Sequence, residues 1–163
     1  MATATYIPIA TQTLGSAAAS ITFSSIPGTY TDLRLVLTCT TSASDTVTVQ
    51  FNSDTAYNYS FTSYFGTGAA ANSSYGNELS AWVGFGASTS TTIPAMYLVD
   101  VFSYAGSTNK TALATAAADQ NGSGAVSADV VLWRSTAAIT SAKLLLFGGN
   151  NFATGTIATL WGI

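Results

Sequence analysis

The chain has 163 residues, of which only 7% are charged, with four Lys+Arg, seven Asp+Glu and no histidine. Ordinary soluble domains run near a quarter charged, so charge repulsion is a weak means of keeping this one monomeric. A net charge of −3 with scattered cations argues against nucleic acid as a partner, and the lack of histidine excludes Ser-His-Asp and Cys-His nucleophilic chemistry.

In chain order, residues 1–12 read as an N-terminal arm in which Tyr6, Ile7 and Ile9 can add to a sheet or lie in a partner's groove. Ile21-Thr22-Phe23 and Leu33 to Cys39 are strand candidates separated by the turn signal Pro27-Gly28. The cleanest alternation is Thr46 to Phe51, with Val47, Val49 and Phe51 on one face and Thr46, Thr48 and Gln50 on the other. Asn52-Ser53-Asp54 marks a turn before Tyr57 to Phe65, and Gly66 to Asn77 reads as the loosest segment, a loop around Tyr75.

Ala81 to Phe85 and Ala95 to Tyr104 are further strands, with a polar loop, Ala87 to Thr92, between them. Lys110 to Ala118 is balanced between helix, on alanine propensity, and a small-residue strand. After Asn121-Gly122-Ser123-Gly124 come Ala128 to Arg134, Ala142 to Phe147 and, past Gly148 to Asn151, the alternating Ile157 to Trp161. Roughly ten short strands at this spacing predict an all-β fold. The expected form is an antiparallel, jelly-roll-like β-sandwich in one domain spanning 1–163.

Candidate chemistry is sparse. The apolar runs Val130 to Trp133 and Leu144 to Phe147 fall far short of the roughly 20 residues that span a bilayer, and the scarcity of cations disfavours an anionic membrane surface. Cys39 stands alone, which excludes an intrachain disulfide and a typical zinc site, and its apolar surroundings predict a buried thiol. Seven carboxylates always permit some pair in space, so no pair stands out for glycoside hydrolysis. Asn52-Ser53-Asp54 with Asn58 is open to two readings, a calcium loop or a side-chain-braced turn. One carboxylate is poor provision for a divalent ion, and the turn is favoured. No catalytic residue, cofactor or metal is expected.

Asp100 interrupts the apolar strand Tyr97 to Phe102 and shares a face with Leu98 and Phe102, so it needs a partner, Arg34 or Arg134. The aromatic clusters Tyr57, Tyr59, Phe61, Tyr64, Phe65 and Tyr75, Trp82, Phe85 suit either a sugar-stacking surface or a core extended by a subunit contact, and the second is favoured. A surface of Ser, Thr, Ala, Gly and Asn desolvates cheaply, and its strand edges lack guarding Lys and Glu. A homo-oligomer, three-fold symmetric, is the expectation.

Three stretches carry a resemblance. Ile21-Thr22-Phe23-Ser24-Ser25-Ile26-Pro27-Gly28-Thr29-Tyr30-Thr31-Asp32-Leu33 is one, and Phe51-Asn52-Ser53-Asp54-Thr55-Ala56-Tyr57-Asn58-Tyr59-Ser60 is the most specific. The ending, Ala138 to Ser141 and Gly149 to Thr156 through Trp161-Gly162-Ile163, is the third. Together they resemble a family of small tailed-bacteriophage virion structural proteins, which often carries Tyr where this chain has Trp161. The resemblance implies a β-sandwich virion component without enzymatic activity. A chain of this length without a fibre shaft points to a capsid decoration, or cement, protein. It would bind the outer head shell as a trimer, with the phage major capsid protein as its partner. The alternative is a tail fibre or baseplate module for host recognition, binding glycan through Tyr75 and Trp82.

Overall fold

Short segments rich in Val, Thr, Tyr and Phe pair antiparallel throughout, because each has one apolar face to bury and turn formers at both ends. The structure, a computed structural model, describes residues 5–163. Its strands are β1 (Ile7–Thr13), β2 (Ser20–Phe23), β3 (Leu33–Cys39), β4 (Val47–Phe51), β5 (Tyr59–Gly66) and β6 (Ala71–Glu78). They continue with β7 (Ala81–Trp82), β8 (Ala95–Phe102), β9 (Lys110–Ala118), β10 (Ala125–Trp133), β11 (Ala142–Leu146) and β12 (Ile157–Gly162).

An eight-stranded sheet, in the order β1-β12-β3-β8-β9-β10-β5-β6, stacks on a four-stranded sheet, β2-β11-β4-β7. The chain is an all-β antiparallel sandwich. Its pairings are nested, β1 with β12, β2 with β11, β5 with β10 and β8 with β9, as when one long hairpin folds over into a jelly roll. Inward positions of the large sheet include Leu35, Leu37, Val99, Val101, Val131 and Leu160; Ile21, Val47, Val49 and Leu144 face them from the small sheet.

Among the described residues twelve strands stand where about ten were expected, and the extra ones are informative. The segment read as a loop, Gly66 to Asn77, is mostly β6, drawn into the sheet by a hairpin with β5 that pairs Thr62 with Tyr75 and Tyr64 with Ser73. Lys110 to Ala118 is strand β9, paired on both sides, and its alternate alanines, Ala112, Ala114, Ala116 and Ala118, are buried. The N-terminal arm is, over its described part, edge strand β1 of the chain's own sheet, paired with β12 through a register shift between Pro8 and Ala10. Residues 1–4 lie outside the described residues.

The block most specific to the resemblance is a folding hub. Asn52 and Ser53 take left-handed φ angles of 51° and 57° to turn the chain out of β4, a conformation Asn tolerates better than most residues. The Asn52 carboxamide braces that turn, its Oδ1 accepting from the Thr140 and Ser141 N–H groups. Asp54 accepts from the Ala56 N–H, Asn58 Nδ2 and Trp133 Nε1, at 2.8–2.9 Å. The Tyr59 hydroxyl takes the Phe51 N–H. N–H donors occupy the oxygens that a calcium loop would need, and the cluster is a braced turn.

Candidate functional site

Side chains alternate across a strand, so every outward position of the large sheet is fixed by the same registers that build its inner face. Four rows run across it. One passes from Trp161 through Arg34, Asp100, Leu113, Val130 and Thr62 to Tyr75. The next holds Thr159, Val36, Leu98, Thr115, Ala128, Tyr64 and Ser73, and the third Ile157, Thr38, Met96, Ala117, Val126, Gly66 and Ala71. The fourth, shorter, joins Phe102, Thr111, Leu132, Ser60 and Asn77.

No described element covers this face. Among the described residues, the exposed large hydrophobic ones number thirteen. Nine of them, Tyr6, Tyr64, Tyr75, Met96, Phe102, Leu113, Val126, Val130 and Ile157, lie here, which makes a patch rather than the usual scatter. Tyr75 is 84% exposed, Tyr64 69% and Val126 61%. The surface is relieved by shallow depressions, two of them floored by small residues. One of about 600 Å³ lies between Tyr64, Met96, Thr115, Ala117, Val126 and Ala128. Another of about 500 Å³ lies between Thr62, Tyr64, Ser73, Leu113 and Val130.

Among the described residues, the only charged side chains on outward positions of these eight strands are Arg34 and Asp100, and they neutralise each other. They stand directly opposite across β3 and β8 and form a two-pronged pair, Nε to Oδ1 at 2.6 Å and Nη2 to Oδ2 at 2.7 Å. This is the strong geometry for a guanidinium and a carboxylate. The Asp100 carboxylate raises the Arg34 pKa above its already high ordinary value, against the opposing effect of burial. Tyr6 lies over the pair, its hydroxyl accepting from Arg34 Nη1 at 2.9 Å and its ring centroid 5.2 Å from Cζ. The expected partner of Asp100 is therefore Arg34. Arg134 instead donates to the Tyr57 carbonyl and to Asn77.

Of the residues singled out in the sequence, Tyr6 and Tyr75 sit on this face, at its opposite ends. Ile7 is exposed on edge strand β1, and Ile9 packs against the core. Trp82 is 9% exposed and stacks on Phe61, with Phe85 and Phe147 around it. Phe61 points inward from β5, whereas Tyr75 points outward from β6. Tyr75 and Trp82 thus lie on opposite sides of the large sheet and cannot form one stacking platform. Tyr64 belongs to the aromatic cluster singled out in the sequence, whereas the outward Leu113, Val126, Val130 and Met96 were missed. A signal for them existed, because Val130-Val131-Leu132-Trp133 is apolar at consecutive positions, the mark of a strand covered on both faces.

Elsewhere the polar groups brace loops. The Asp45 carboxylate takes the Thr46 and Gly148 N–H groups and Asn150 Nδ2, tying the start of β4 to the turn after β11. A Cβ on Gly148 would stand 2.9 Å from Asp45 Oδ2, so a larger residue there would push the carboxylate away from these donors. Lys110 is buried, its ammonium donating to the Gly106 and Thr108 carbonyls, and desolvation lowers its pKa. Burial pushes the Cys39 thiol up to about 12, which leaves it protonated and unreactive.

The molecule is thus defined as an all-β sandwich with one broad, neutral, uncovered sheet face. No protein-family model matches the chain, and no curated protein matches it. Among solved structures it is similar to the galectin LEC-6 of Caenorhabditis elegans, at 11% identity and a TM-score of 0.38, over 97% of this chain and 94% of that one.

Proposed function

We propose that this chain is a non-enzymatic structural protein of a tailed-phage virion. In this reading it is a capsid decoration protein that binds the outer head shell as a homo-oligomer and stabilises the shell by bridging neighbouring copies of the major capsid protein. The observation that carries the reading is the uncovered face of the large sheet, nearly free of charge and rich in apolar side chains. A domain that leaves such a face to water is built to be covered by protein. The sequence blocks around Ile21 to Leu33, Phe51 to Ser60 and Gly149 to Ile163 support the virion setting by resemblance.

A cement protein needs no chemistry beyond cohesion. Each copy adds buried area across a joint between capsid subunits, and repetition over the shell multiplies modest contacts. The capsid contact falls to the sandwich edge at β1, whose far side has no strand partner among the described residues and can accept a strand from a neighbour. Reconstruction of particles carrying the chain tests the reading. Density for the sandwich on the outer head surface, in contact with more than one capsid subunit, is the expected result. Density confined to the tail overturns it.

A further inference from the structure

We infer that the outer face of the eight-stranded sheet is the surface through which copies of this chain hold one another, so that its occupant is a second copy. The inference rests on the homo-oligomer reading above and names the surface responsible.

Area is the first argument. Eight strands spaced about 4.8 Å apart span ~34 Å, and strands of this length run ~25 Å, giving a face of ~850 Å². A stable protein interface takes about 800 Å² from each partner, so one copy offers the area another needs. Charge is the second. Arg34 and Asp100 are locked to each other, and an identical face brings no unpaired charge to strand against it. A charged partner surface would lose water here without compensation. Shape is the third. The tall Tyr64 and Met96 flank the low floor of Thr115, Ala117 and Ala128, so the face carries both knobs and a hollow to receive them. Glycan and nucleic acid fit poorly, since the hydroxyls of scattered Thr and Ser are its main free polar groups and its one cation is already paired.

The test is sedimentation velocity of the full chain at micromolar concentration, with circular dichroism to confirm folding. Wild type is expected to sediment as a multiple of 16.6 kDa. Leu113→Lys and Val130→Lys, which are exposed and directly opposite each other, are expected to sediment as single chains with the wild-type spectrum. Thr22→Glu, an exposed outward position of the four-stranded sheet opposite Lys143, is expected to keep the multimer. Should a lysine variant fail to fold, Val126→Ser removes apolar area without adding charge and is expected to weaken assembly about tenfold.

A wild-type chain that sediments at 16.6 kDa, or folded face variants that keep the multimer, would overturn the inference. If wild type is a single chain and the same variants abolish capture by capsids, the face belongs to the capsid, and the inference falls while the virion reading stands. If the multimer dissociates as expected but particles lack the protein, the virion reading falls and the inference stands.

Discussion

Asp129 points inward from β10, 1% exposed, with Ser127 Oγ 3.3 Å from Oδ2 and no partner for Oδ1. Desolvation raises its pKa to about 6, only partly opposed by the neighbouring Ser63 and Ser127 hydroxyls. The folded state holds this proton more tightly than the unfolded one. The resulting stability is therefore full below the ordinary carboxylate pKa and is lost as pH rises through about 6. Asp129→Asn removes the penalty, and a gain on the order of 2–3 kcal/mol at pH 7.5 is expected. Melting curves from pH 4 to 8 should show the variant's advantage close on the acid side; a constant offset would contradict the assignment. Asp45 behaves oppositely. Burial acts to raise its pKa, but donors from Gly148, Asn150 and Thr46 outweigh it and hold the carboxyl below its ordinary value. Its contribution is present above the ordinary carboxylate range and is lost as pH falls through the folded value. Asp45→Ala should cost about 2–3 kcal/mol at neutral pH, with the deficit shrinking in acid when followed by urea unfolding.

At the scale of elements, β9 shows why alanine was ambiguous in the sequence. Alanine favours helix when nothing else acts, but two strand neighbours and a close-packed inner face outweigh that preference. Ala114→Leu should therefore overpack the core and cost about 1–3 kcal/mol. Leu113→Ala, one residue away and outward, should change the unfolding free energy of the isolated subunit by less than about 0.5 kcal/mol. Equal effects at the two positions would mean the face is covered within the chain. Strand β4 was legible because Val47, Val49 and Phe51 alternate cleanly with polar residues. Strand β6 was hidden because its Asn, Ser and Gly are turn formers, and only pairing with β5 holds them extended. The Asp100 partner could be narrowed to two arginines from strand position, but the choice of Arg34 depends on the β3–β8 register. The uncovered face was legible only in part, since it needs both alternations of β10 to be read as apolar and β10 to be placed between β9 and β5.

For the whole molecule, nested pairing joins the chain's two ends, and most contacts are distant in sequence. Such topology predicts folding on the millisecond-to-second scale or slower, measurable by stopped-flow tryptophan fluorescence from buried Trp133 and Trp82. Sparse charge, an uncovered sheet face and loops braced by hydrogen-bonded carboxylates fit a rigid component that works in company. The virion setting rests on resemblance, and the copy number in purified particles tests it most directly. Quantitative mass spectrometry against the major capsid protein should find the two in comparable numbers and fixed proportion. A handful of copies per particle, or none, would contradict a role as cement on the shell.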